Sequence, residues 1–195
     1  MILEFDKLES VKRYKVMSQS IIPRPIAWIV TELNGVINIA PFSYFIPISS
    51  EPATIIVSIG HKSSGEKKDT LSNILETKKA TICLIDEEHL DKMHFSSKEL
   101  EKHISEADSF DIKTKKVLDN YPPIVDGVKS AIFCDFYKEI ELEGSKTIPI
   151  ILEVNSYFFE DNVIDEKLNI NLNNIGRSGK EYLKDSIKVT PPTLN

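Results

Sequence analysis

The chain has 195 residues, with 24 Lys and Arg against 30 Asp and Glu, for a net charge of −6 at pH 7. Its 41% hydrophobic content can bury a core, which excludes a disordered tail. The acidic balance excludes the broad basic footprint by which proteins hold nucleic acid or an anionic membrane.

That length suits a single domain. Residues 1–15 mix acids and bases from Glu4 onward without the apolar stretch of a secretory signal, and no apolar run is long enough to span a bilayer. A cytoplasmic protein is expected. The two cysteines, Cys83 and Cys134, each lie inside an apolar strand-like run and lack a CxxC neighbour. They read as small buried hydrophobes, with a Cys83–Cys134 bridge left open.

Apolar and β-branched residues from Ser20 to Val30 lead to Asn34-Gly35, a strong hairpin signal, so Ile26–Thr31 should pair with Val36–Ala40. Ala53–Ile59, bounded by Pro52 and Gly60, is too short for a helix and predicts a strand buried on both faces; Ala80–Ile85 reads the same way. Between them Leu71, Ile74 and Leu75 share a helical face, with Asp69 or Thr70 as the cap. Residues 87–107 are charged, with Leu90, Met93, Leu100 and Ile104 at helical spacing, and predict one or two surface helices. Residues 128–143 predict a long strand with Ile132, Cys134, Phe136, Ile140 and Leu142 on one face and Asp135, Tyr137, Glu139, Glu141 and Glu143 on the other, Lys138 being the one breach. Thr147–Phe159 returns as its hairpin partner, and the tail from Val189 to Asn195 reads as loosely held. Strands dominate without βα alternation, which favours a mainly β Greek-key barrel with peripheral helices.

No pair of glycines forms the GxG of a dinucleotide fingerprint. Gly60 and Gly65 bracket four residues as in a P-loop, but Glu66-Lys67 follows where Lys and a hydroxyl residue are needed. Residues 61–70 gather Lys62, Lys67, Lys68, Ser63, Ser64 and Thr70 ahead of a helix N-terminus, a pattern suited to a phosphate monoester or to an ordinary polar loop. Asn38 to Phe45 places aromatics around Pro41, where the missing N–H should interrupt regular pairing and free backbone groups for a flat heteroaromatic ligand. His89, His94 and His103 have no metal-ligand spacing and read as surface residues; no metal site and no side-chain nucleophile is expected.

Taken in order, residues 23–31 (PRPIAWIVT), 34–45 (NGVINIAPFSYF), the strand ending at Gly60 and residues 68–77 (KDTLSNILET) resemble the flavin reductase-like, FMN-binding split-barrel family, which includes the flavoredoxins. The similarity continues through Met93-His94-Phe95-Ser96-Ser97 to residues 175–182, where Lys180 stands in place of the family's common second glycine. The resemblance implies one domain over 1–195, with a barrel core over about 18–160 and a C-terminal extension over 161–195. It also implies a homodimer holding FMN without a covalent bond. Carried over by residue, Asn38, Ala40, Pro41, Phe42 and Ser43 would edge the isoalloxazine. Thr31, Ser58, Lys68, Asp69 and Thr70 would reach the phosphate, and Arg24 and Arg177 would meet either phosphate or ring edge. The implied activity is hydride transfer from NADH or NADPH to flavin N5. The alternative is a flavoredoxin-type electron carrier, and a monooxygenase or other redox protein is the implied partner.

Overall fold

The computed structural model describes residues 2–184, 189 and 191–192. Its helices are α1 (Ser10–Ser20), α2 (Asp69–Thr77), α3 (Leu90–Phe95) and α4 (Glu106–Ser109). Its strands are β1 (Arg24–Pro25), β2 (Ala27–Leu33), β3 (Val36–Phe42), β4 (Phe45–Ser50), β5 (Ala53–Gly60), β6 (Lys79–Leu84), β7 (Thr114–Lys115), β8 (Ile124–Val125), β9 (Ser130–Glu139), β10 (Thr147–Phe159), β11 (Gly176–Ser178) and β12 (Glu181–Leu183).

Asn34 and Gly35 both adopt left-handed backbone (φ 52° and 79°), the turn whose twist matches two antiparallel strands. β2 and β3 accordingly pair from Ala27↔Phe42 to Leu33↔Val36. The main sheet runs β3-β2-β6-β9-β10-β5-β4, antiparallel at every pairing. Its two edge strands are consecutive in the chain, and Phe42 and Phe45, either side of their connection, enter the same core. The sheet thus curls back on itself as a barrel.

Alternation along each strand divides the apolar residues between two cores. Ala27 and Ile29 of β2 face the barrel interior with Val57, Ile82, Ile150 and Leu152, while Trp28 and Val30 face a second core with Cys83, Met93 and Phe133. Leu71 and Ile74 of α2 belong to the interior core and are fully buried, each contributing about 1.5–3 kcal/mol. Cys83 and Cys134 fall in opposite cores and are free thiols, so the sheet itself separates them and the open bridge does not form.

Four local expectations need correction. β5 buries Ile55, Val57 and Ile59 on one face, whereas on the other Ile56 and Ser58 are half-buried because they border a surface groove. β9 stops at Glu139, and its supposed acidic face begins with buried Ala131 and Phe133 under the second core. A bulge at Tyr137, where the partners pass from Phe136↔Leu152 to Lys138↔Ile151, turns Lys138 outward and removes the breach. In the 87–107 segment a 3-10 turn at Glu87–His89, α3 and the start of α4 are helical, in line with one or two helices, but Met93 is buried and not at the surface, since Trp28 Nε1 donates to Ser96 Oγ at 2.9 Å and draws this turn onto the core.

α1 has no counterpart in the sequence reading. Of its residues only Ser18 is buried, so no apolar stripe announces it. The C-terminal segment folds back, with Arg177 opposite Arg24 and Gly176 opposite Pro25. A Cβ at Gly176 would lie 2.9 Å from Pro23 Cβ, so this approach requires glycine. The expectation for the tail, 189–195, falls largely outside the described residues.

Candidate functional site

α2 begins without a side-chain cap. Lys68 occupies the N-cap position, Asp69 pairs with Lys62 at 2.8 Å, and Thr70 Oγ1 accepts from Asn38 Nδ2 at 2.9 Å. Neither Asp69 nor Thr70 therefore caps the helix, and its first N–H groups keep no side-chain acceptor at the positive end of the dipole. Thr70 is 1% exposed, so it forms the floor of the site, beneath the exposed part of the loop. Because Asn38 donates to it, the Thr70 hydroxyl hydrogen is left to donate elsewhere. A small cavity here is lined by Asn38, Ala40, Lys68, Thr70 and Ser97.

The loop before α2 is tied down by Glu99, whose carboxylate accepts from Ser63 N–H at 3.2 Å and Ser63 Oγ at 2.9 Å. The free edge of β3 is covered from the other side. Ile39 N–H donates to Glu106 Oε2 at 3.0 Å and Ser105 Oγ donates to Ile37 O at 2.8 Å, which satisfies groups an edge strand would otherwise expose. Burial holds the Glu106 carboxyl above its usual range, with the Ile39 N–H opposing and the Asp69 charge adding to the rise.

Further along β3 a cavity of about 200 Å³ opens over Pro41, Phe42 and Ser43, walled by Tyr14, His94, Arg177 and Tyr182. Ser97 lines both cavities, so the two adjoin there as ends of one cleft beside β3. His94 Nδ1 and Tyr182 Oη are 2.8 Å apart. The Arg177 guanidinium lies 4.3 Å from the Tyr182 ring centroid, and its Nε donates to Gly179 O at 3.0 Å.

Asn38, Ala40, Lys68, Asp69 and Thr70 thus meet at one end, and Pro41, Phe42, Ser43 and Arg177 at the other. Three expected residues stand apart. Thr31 is fully buried and its hydroxyl accepts from Asn73 Nδ2 at 3.0 Å, because its strand position points it under α2. Ser58 lines the groove behind Ser43, and its N–H donates to Tyr44 O at 2.9 Å. Arg24 lines that same groove and donates through Nη1 to Ser18 O and Ile21 O at the C-terminus of α1. The sequence reading missed Tyr14, which carries no local signal; His94, read as a surface residue, is exposed and also walls the cleft. The stretches around His94 and Tyr182 were flagged only by family resemblance. His89 is half-buried, its ring held between Asp86 Oδ1 at 3.0 Å and Asp126 O at 3.2 Å.

The sequence matches the family described as flavin reductase like domain over residues 17–175. An uncharacterized protein of Aquifex aeolicus is 29% identical over 176 residues, 87% of each chain. Nitrilotriacetate monooxygenase component B from Bacillus cereus superposes with a TM-score of 0.91 at 24% identity, over 98% of both chains. Pseudomonas fluorescens 2-nitrobenzoate 2-nitroreductase NbaA gives 0.89 at 25% identity, over 100% of this chain and 98% of that one. The flavoredoxin of Desulfovibrio vulgaris (Miyazaki F) gives 0.76 at 14% identity, over 98% and 97%. The barrel is the split barrel of these proteins, and with the match spanning most of its length the chain belongs to the flavin reductase like domain family.

Proposed function

We propose that the cleft along β3 holds FMN, phosphate toward α2 and ring system over Pro41–Ser43, and that the protein is an NAD(P)H-dependent flavin oxidoreductase. The observation that carries this reading is the junction, in one cleft, of an uncapped helix N-terminus with an aromatic-walled cavity. When bound, the flavin supplies a hydride-accepting N5 that takes electrons from a nicotinamide donor.

The chain's own residues divide the remaining tasks. The first N–H groups of α2, the Thr70 hydroxyl and the Lys68 ammonium bind the phosphate, and Asn38 orients Thr70. Pro41, Phe42 and Ser43 form one wall, while Tyr14 and Tyr182 exclude water from the other. Arg177, fixed by Gly179 and Tyr182, places positive charge beside the ring. Thiol chemistry has no part, since burial pushes the Cys83 thiol up to about 12 and raises Cys134 as well.

The same reading places the whole chain in one domain and in the reducing cytoplasm. It makes the chain a homodimer and gives it a monooxygenase or other redox protein as partner. The test is a visible spectrum after FMN addition and desalting, followed by anaerobic NADH and then NADPH. Retained yellow that bleaches is the expected result. Retained yellow that stays unbleached favours a carrier reduced by another protein, and no retained flavin contradicts the assignment of a resident cofactor.

A further inference from the structure

Among the described residues, Arg24 carries a buried guanidinium that no carboxylate pairs. Arg24 is 6% exposed, its Nη1 serves the α1 carbonyls, and its Nε and Nη2 are buried with no hydrogen-bond partner. Nε and Nη2 are the two nitrogens whose hydrogens point in parallel along one side of a guanidinium, the fork that a carboxylate accepts in bidentate fashion. A buried cation is expensive to maintain unless it is paired, and this fork has the geometry to take an anion's two oxygens.

Arg24 lines a groove of about 340 Å³ whose other walls include Met17, Ile21, Phe45, Ile46 and Ile56. Apolar walls with one charged group, at this volume, are the composition of a small-molecule site. The groove shares Ser43 with the ring end of the cleft. Tyr44, whose ring centroid is 5.7 Å from the Arg24 guanidinium carbon, also lines it and stacks on Tyr14, with centroids 6.1 Å apart.

We propose that this groove binds a hydrophobic carboxylic acid, its carboxylate accepting from Arg24 Nε and Nη2 and its apolar body lying against Phe45, Ile46 and Ile56. To admit the carboxylate, the Tyr44 ring turns off the guanidinium. Through Ser43 the far end of the acid adjoins the cleft. The acid site does not rest on the flavin reading.

The test titrates benzoate and benzyl alcohol, which share a ring and differ in charge, into the protein with and without added FMN. The result expected is benzoate binding at least about 10-fold tighter than the alcohol, accompanied by a tyrosine difference spectrum. Arg24→Met abolishes that preference. Because Arg24 also holds α1, Ile46→Asp serves as a second variant: at a position 56% exposed it brings a repelling charge to the groove and weakens benzoate more than the alcohol. Equal affinity for the two probes, or benzoate binding unchanged by both substitutions, overturns the proposal. So does a dimer that dissociates on Ile46→Asp and takes benzoate in neither state, which would make a second copy the occupant. Benzoate binding without FMN retention would sink the flavin reading and leave the acid site standing.

Discussion

The two ends of the cleft are built on different plans. The α2 end is local: Lys68 and Thr70 come from one turn, with Asn38 from the strand beside it, and Leu71 and Ile74, both fully buried, root that turn in the barrel interior. The ring end is assembled from four separate stretches that supply Tyr14, Pro41–Ser43, His94 and the Arg177–Tyr182 pair. Its walls are less deeply set, with Tyr14 54% exposed, and its tie to the second core runs through Met93 and the Trp28–Ser96 hydrogen bond. A rigid end suits a small charged group that every ligand shares. An assembled end suits a flat ring and a changing second substrate.

That contrast can be broken most severely at the root of α2. Leu71→Ala should cost about 2–5 kcal/mol in urea unfolding; a loss below about 1 kcal/mol would mean that the helix is not held by the interior core. Next in size, Lys68→Ala combined with Thr70→Ala should weaken FMN binding by about 10- to 100-fold while riboflavin, which lacks the phosphate, changes by no more than about 2-fold. Thr70→Ser keeps the hydroxyl and should keep most of the affinity, whereas Thr70→Ala also strips Asn38 Nδ2 of its acceptor.

At the assembled end, Tyr182→Ala or Arg177→Met should weaken FMN and riboflavin alike, by about 3- to 10-fold. A loss confined to FMN would place the phosphate at the wrong end. The smallest effect concerns Glu106, which braces β3 between the two. Its carboxyl pKa is raised from 4.5, chiefly by burial, so the folded state holds a proton that the unfolded state has released. Its contribution to stability is therefore present below the ordinary carboxylate range and is lost as pH rises from 4.5 through the raised value. Glu106→Gln, whose amide oxygen can still accept from Ile39 N–H, should remove that slope in thermal unfolding across the same window.

What could be read from the chain alone followed the same division. The Asn34-Gly35 hairpin, the middle of β6 from Ala80 to Cys83 buried on both faces and the basic, hydroxyl-rich approach to α2 each depend on neighbours in sequence, and their residue types carry the reason for their conformation. The cap of α2 was misread because Asp69 is taken by Lys62 and Thr70 by Asn38, partners that only the tertiary fold brings near. Thr31 was misplaced for a similar reason: its parity in β2 was legible, but the α2 residue Asn73 above it was not. Tyr14 lies on a helix with no apolar stripe, and the Tyr137 bulge that turns Lys138 outward leaves no mark in composition. Family resemblance reached further than local pattern at the ring end, where the 93–97 and 176–182 stretches, far apart in sequence, meet directly through His94 and Tyr182.

The most direct test of the account is calorimetric titration of the flavin-free wild-type protein with FMN and, separately, with riboflavin. The account predicts FMN binding at least about 10-fold tighter, the difference arising at the N-terminus of α2. Equal affinity for the two, or tighter binding of riboflavin, would contradict it.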